Sequence, residues 1–314
     1  MKFRQLGRSG LVVSEVGLGC NNFGGRCGFD KTKEVVYRAR DLGITLFDTA
    51  DIYGGDGVSE SFLGKLIPEF RDEIVLATKF GMPRGDNLTS RGSRRYIKLA
   101  VEKSLSRLNT DRIDLYQFHE PDPDTPIDET LSALDDLIHE GKVLYVGSSN
   151  FAGWQIARAE YVARSLGVSR FISAQNEYSL IKRGVESEVI PAAREFGVGV
   201  LPFYPLAAGL LTGKFNRNEA PPAGTRLAGK PEQLQAANFD LVESLGEFAA
   251  QRGLSLLELA FAFLLFEDQV SSVIAGATSV RQTLRDSPRG RNWRPAVARA
   301  CRPVAYLQGE LHFA

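Results

Sequence analysis

Four side chains in the first 120 residues make a proton donor if they meet: Asp48, Tyr53, Lys79 and His119. The segment ITLFDTADIYGG begins as a buried strand, then runs into a carboxylate at Asp48, a second acid at Asp51 and a phenol at Tyr53. A free phenol has a pKa near 10 and is a weak acid–base group at neutral pH. An ammonium such as Lys79 beside it stabilises the phenolate and is expected to lower that pKa. A carboxylate such as Asp48 keeps the desolvated lysine charged and oriented. An imidazole such as His119 orients a carbonyl or shares the proton. The combination suits reduction of C=O, whose oxygen must be protonated as hydride reaches carbon. Singly, each residue has an ordinary reading: Asp48 caps a turn, Tyr53 packs on a loop, Lys79 is solvated and His119 is structural. His139 and His312 fit that ordinary reading better. What changes the weighing is four suitable types at the ends of three consecutive strand-like runs.

Those ends belong to a repeating pattern. β-rich runs at 15–19, 45–48, 74–79, 113–119, 143–148, 171–175, 198–203 and 272–275 alternate with amphipathic segments at 31–42, 58–67, 94–108, 127–140, 154–166, 185–196 and 234–251. In YIKLAVEKSLSRL the apolar residues Tyr96, Leu99, Val101, Leu105 and Leu108 mostly keep helical spacing. Glycine follows four of the helices, as a C-cap should. Strand–helix alternation calls for parallel strands with crossover helices. Eight such units close a (β/α)8 TIM barrel, in which the C-terminal strand ends share one mouth. The opening MKFRQLGRSGLVVSE reads as an N-terminal β-hairpin turning at residues 8–10. An open doubly wound sheet is the competing architecture. The glycines of GLGCNNFGG break the dinucleotide fingerprint of that fold, because Gly19 is followed by Gly24. The long insertions at 80–93 and 214–231 read as functional lids.

Composition narrows the function classes. The 314 residues are 43% hydrophobic, yet no run approaches the ~20 apolar residues of a spanning helix. Basic and acidic residues balance at 38 each, which gives no electrostatic reason for a nucleic-acid or membrane partner. Cys20, Cys27 and Cys301 form a sparse, odd set without a CxxC pair, which argues for a reducing, cytoplasmic setting and against a disulfide framework or a metal site. The N-terminus has no apolar signal region.

The segments FDTADIYG, VLATKFG and DLYQFHEPD, taken together, resemble the catalytic segments of the aldo-keto reductases. The resemblance runs from Phe3 to about Ser279. It implies Tyr53 as general acid, Lys79 and Asp48 as the groups that tune it, and His119 steering the substrate carbonyl. It also implies an extended NADPH held without a Rossmann domain. On that pattern, Ser149 and Asn150 of GSSNF, with Gln175 of QNEYSL, hold the nicotinamide carboxamide. Phe203 of FYPLAAGLLTGK stands where an aromatic stacks on the nicotinamide, and stacking needs only a π face. Leu206, Gly209 and Lys214 follow along the pyrophosphate, and Pro205 of the same segment also falls among the cofactor-binding positions. Gly276, Thr278 and Ser279 of IAGATSV fall near the adenosine phosphate, with Gln282 at the adenine. Asp286 stands where the family has asparagine; an acid there weakens NADPH binding unless Arg281 or Arg285 compensates.

The family pattern is lost from Arg281 onward, where arginines cluster and Pro288, Pro295 and Pro303 interrupt any long helix. A shift of reading frame near Val280 would produce such a change of character. The expected organisation is a barrel over 1–280 and a divergent, poorly ordered tail over 281–314. The expected function is NADPH-dependent reduction of a small carbonyl substrate. The alternatives are an NADPH-binding regulatory subunit resembling potassium-channel beta subunits, and an aldolase using Lys79 as a Schiff-base residue.

Overall fold

A computed structural model describes residues 1–83 and 90–286. The chain opens with an antiparallel hairpin, β1 (Phe3–Gln5) and β2 (Val12–Ser14), tied across its turn by the Leu6 N–H donating to the Leu11 carbonyl at 2.8 Å. Strands and helices then alternate: β3 (Val16–Gly19), α1 (Phe29–Asp41), β4 (Leu46–Asp48), α2 (Val58–Leu66), β5 (Val75–Phe80) and α3 (Arg94–Leu108). They continue with β6 (Ile113–Phe118), α4 (Ile127–His139), β7 (Val143–Ser149), α5 (Gly153–Leu166), β8 (Ser173–Gln175), α6 (Val189–Phe196) and β9 (Gly199–Val200). The last part holds α7 (Pro231–Gln235), α8 (Phe239–Ala250), α9 (Leu256–Phe266), β10 (Val273–Gly276) and α10 (Val280–Asp286).

Strands β3 to β10 form one parallel eight-stranded sheet in the order β10-β3-β4-β5-β6-β7-β8-β9. Its two edges meet: the Ser271 N–H donates to the Val200 carbonyl and the Ile274 N–H to the Pro202 carbonyl, each at 3.0 Å. The sheet therefore closes on itself as a (β/α)8 barrel. The hairpin plugs the bottom. Gly7 has φ +59°, and a Cβ there would come within 2.5 Å of the Gly197 carbonyl oxygen and the Gly199 nitrogen, so only glycine lets the hairpin seat this closely.

The barrel interior has two floors, set by the two-residue period of a strand. Leu46, Ala77, Leu115, Leu201 and Ile274 pack with Leu6 and Val13 of the hairpin as an apolar lower floor. Two residues further on, the same inward period brings Asp48, Lys79, Gln117, Phe203 and Gly276 toward the C-terminal mouth. Residues of opposite parity, such as Phe47, Leu76, Tyr116 and Val146, join the larger core between strands and helices.

All eight expected strands are present, most of them shorter than expected. Two helices escaped the periodicity reading, α9 and the short α10, which begins where only a divergent tail was expected. In α9, LLELAFAFLLF, every residue but Glu258 and Phe266 is buried, so no polar stripe marks it. A helix apolar on nearly all sides is a buried one. Its signature is the capping box at its start: the Ser255 hydroxyl accepts from the Glu258 N–H and Glu258 accepts from the Ser255 N–H. The amphipathic segment expected over 234–251 is split into α7 and α8, with Asn238 capping the latter. At the C-terminus the backbone is helical through Asp286; the remainder of the expected tail lies outside the described residues, as do positions 84–89 of the first long insertion.

Candidate active site

The four residues singled out as a proton donor meet above the barrel mouth. Lys79 is fully buried, and its ammonium donates to three oxygens: Asp48 Oδ2 at 2.7 Å, the Thr49 carbonyl at 2.9 Å and the Tyr53 hydroxyl at 3.3 Å. His119 follows β6, with its N–H on the Phe80 carbonyl at 2.8 Å. Its ring stands edge-on to Tyr53 with centroids 5.9 Å apart.

Burial pulls the Lys79 ammonium down, but Asp48 and Tyr53 more than offset it, and the net shift is upward. Lys79 is therefore charged at neutral pH. Burial also drives His119 down, helped by the Lys79 charge, to about 3, so its imidazole is neutral. Its Nδ1 is buried without a hydrogen-bond partner among the described residues. The expectation for Tyr53 needs correction: burial, together with the nearby Asp48 charge, raises the phenol's pKa by more than Lys79 lowers it. Tyr53 thus carries its proton at neutral pH, as a general acid must.

A second layer lies below. Asp48 Oδ1, the oxygen turned away from Lys79, accepts from Gln175 Nε2 at 2.9 Å and from Gln117 Nε2 at 3.2 Å. Gln175 Nε2 also donates to Gln117 Oε1 at 3.3 Å. Gln175 Oε1 has no protein donor among the described residues. Beside it, Asn150 at φ +60° donates to the His119 carbonyl at 2.9 Å and to Ser149 Oγ at 3.3 Å.

These groups open into one cavity of about 740 Å³, within the usual range for a small-molecule or cofactor site. Asp48, Tyr53, His119, Ser149, Asn150 and Gln175 lie in its wall, as do Phe203, Pro205, Leu206, Gly209 and Lys214. Gly276, Thr278 and Gln282 also contribute. The Gln282 carbonyl oxygen is held by the N–H and hydroxyl of Thr278 at 2.7 and 2.8 Å, which leaves its NH2 for a ligand. Ser279 lies outside the wall and starts α10, accepting from Gln282 and Thr283. Asp286 ends α10, and its side chain is outside what is described. The turn carrying Tyr204, Ala207 and Ala208 has all three at positive φ, between 46° and 57°, a strained backbone of the kind found at binding sites.

The second long insertion folds over this cavity, where Pro222 to Arg226 form part of its wall. Arg226 donates to Asn22 Oδ1 at 3.1 Å and to Asn21 Oδ1 at 3.4 Å, and its guanidinium lies 5.0 Å from the Tyr204 ring centre. Arg26 donates to the Gly224 carbonyl. Burial and the nearby Arg226 charge lower its pKa. Asn21, Asn22, Arg26 and Arg226 are wall residues that the sequence reading did not assign. Asn21 and Asn22 could have been found as the polar residues just past the inward-facing Gly19. Arg217, in the same insertion, is instead spent on Asp240 and Glu243. The wall thus carries three cations, Arg26, Lys214 and Arg226, none with an acidic partner among the described residues; its one acid, Asp48, is paired with Lys79. Such a wall suits an anionic ligand, and the open Gln175 side-chain oxygen, the Phe203 ring and the Gln282 NH2 are groups available to hold the ends of a nicotinamide dinucleotide.

Residues 15–287 match the model of the aldo/keto reductase family. The chain is 38% identical over 298 residues to an uncharacterized oxidoreductase, YrpG, of Bacillus subtilis, covering 91% of this chain and 90% of that one. It is 35% identical over 301 residues to the L-glyceraldehyde 3-phosphate reductase of Escherichia coli, covering 90% and 85%. It is also 35% identical over 300 residues to a probable voltage-gated potassium channel subunit beta of rice, covering 91% and 90%.

Proposed function

The chain belongs to the aldo/keto reductase family and is an oxidoreductase acting on carbonyl and alcohol groups, and on that premise we propose that it reduces an aldehyde or ketone with NADPH, using Tyr53 as the general acid. The observation that carries this reading is the buried set around Lys79, whose three hydrogens go to Asp48, Thr49 and Tyr53. NADPH, when bound, supplies the hydride. Ser149, Asn150 and Gln175 hold its carboxamide end, Phe203 stacks, Lys214 and Arg226 meet its phosphates, and Gln282 meets its adenine. Exposed Arg281, on α10, is the cation nearest in sequence to Gln282 and offers a partner for a 2′-phosphate. Tyr53 gives its proton to the substrate oxygen while Lys79 stabilises the phenolate left behind. Neutral His119 orients that oxygen by an N–H. Free, buried Cys20 and Cys27 fit a reducing, cytoplasmic location.

The test is NADPH oxidation, beside NADH, against a panel of aldehydes, ketones, sugars and quinones. Small phosphorylated aldehydes belong in the panel because of the relative named as a glyceraldehyde 3-phosphate reductase. Turnover of at least one carbonyl with NADPH is expected; no turnover across the panel contradicts the reading.

A second reading, an NADPH-binding regulatory subunit, is favoured by the likeness to the rice channel-subunit relative. Co-purification of a membrane partner distinguishes it. Schiff-base chemistry at Lys79 is disfavoured, since an ammonium with all three hydrogens donated has no lone pair to offer.

A further inference from the structure

Gln117 is not part of the cavity wall, yet it stands at the centre of the layer beneath it. It is 0% exposed, points into the barrel from β6, and is the register partner of Lys79 on β5. Packing alone does not ask for an amide there: an apolar side chain of that size fills the space without the cost of burying polar atoms. Both ends of this amide are used, Nε2 on Asp48 Oδ1 and Oε1 under Gln175 Nε2. Its orientation is fixed by its neighbours. Flipped, it would set its oxygen against a carboxylate oxygen and its NH2 against another NH2.

We infer that Gln117 is a positioning residue, joining Asp48 and Gln175 into one buried network that serves both the proton donor and the cofactor end of the site. Through Asp48 Oδ1 it holds the carboxylate so that Oδ2 faces Lys79, 2.7 Å away. Through Gln175 Nε2 it fixes that amide with its carbonyl oxygen toward the cavity, where an amide N–H of a ligand is accepted. One side chain therefore couples the seat of the cofactor to the acid that protonates the substrate. The inference rests on the reductase reading for its consequence in turnover, but not for the network itself.

Two substitutions test it. Gln117→Met keeps the volume and removes both hydrogen bonds. Gln117→Glu keeps the shape: its neutral acid donates to Asp48 as the amide does, while its carboxylate repels Asp48. Other titratable groups around Asp48 are Lys79 from β5, Tyr53 from the loop after β4 and Cys20 just past β3, with His119 after β6 acted on by Lys79 beside them. The first readout needs no cofactor: phenolate absorbance against pH, taken as the difference between each protein and its Tyr53→Phe counterpart. In Gln117→Met, Asp48 Oδ1 loses a donor and presents more negative charge, so the Tyr53 titration moves upward by about one pH unit. NADPH binding, followed by fluorescence, weakens about tenfold. Gln117→Glu approaches the parent in kcat at acid pH and falls below Gln117→Met as its own carboxyl ionises, whereas Gln117→Met is depressed at every pH. An unmoved Tyr53 titration in Gln117→Met overturns the inference, as does a Gln117→Glu profile parallel to the parent's. If the parent reduces no carbonyl while the titration still moves, the reductase reading fails and the positioning role stands.

Discussion

The Lys79 ammonium stands 3.3 Å from the Tyr53 hydroxyl oxygen and donates to it the last of its three hydrogens. Tyr53 is thereby an acceptor on the side facing Lys79, and its own proton is free to point into the cavity. The same contact stabilises negative charge on that oxygen once the proton has gone. Acid and relaxed conjugate base are thus served by one geometry, which needs no rearrangement during proton transfer.

Removing Lys79 leaves Asp48 as a buried carboxylate without its cation. Lys79→Met is expected to cost about 3–5 kcal/mol of stability, the usual penalty for breaking a buried pair from one side. The double variant Lys79→Met, Asp48→Asn removes both charges and should recover most of that loss. Urea unfolding of the two proteins checks this. Equal stabilities would mean that the pair is not electrostatically coupled.

His119 makes stability sensitive to acid. Its folded-state pKa, about 3, lies below the ordinary 6.5 of the unfolded chain. The unfolded state therefore binds one more proton between those values, and the contribution of neutral His119 is complete above about pH 6.5 and lost as pH falls toward 3. The slope from this one group is about 1.4 kcal/mol per pH unit within that window. His119→Gln, which does not titrate, should flatten the unfolding midpoint over the same range relative to the parent. An identical pH dependence in both proteins would place the acid sensitivity elsewhere.

Arg226 fastens the second insertion across the cavity by reaching Asn21 and Asn22. Arg226→Ala removes the fastening and a cation from the wall. NADPH dissociation, measured by stopped-flow fluorescence, should quicken about tenfold, on the scale of a lost charged hydrogen bond. Turnover limited by release would then rise while affinity falls. An unchanged dissociation rate would show that the insertion does not retain the ligand.

Much of this was legible in the chain because two periods carry it. Strand–helix alternation with glycine caps gives the barrel, and polar residues at apolar strand ends give Asp48, Lys79 and His119. Gln117 was overlooked although the same inward parity that selects His119 selects it, two residues earlier. Helix α9 was missed because burial on nearly every face erases the polar stripe on which a periodicity reading depends. The pKa of Tyr53 was misjudged because sequence names the charged neighbour but not how deeply both groups are buried, and burial was the larger effect. Arg226 reaches the β3–α1 loop across 204 positions to Asn22, a contact fixed by barrel closure and invisible to local pattern.

The most direct measurement of the central claim is NADPH consumption by the parent and by Tyr53→Phe, with the best carbonyl substrate found in the panel and with NADPH affinity measured alongside. Loss of the acid should lower kcat by about 10³-fold while the affinity for NADPH stays within a few-fold of the parent's. Undiminished turnover in Tyr53→Phe would contradict the account, because the proton would then come from some other group.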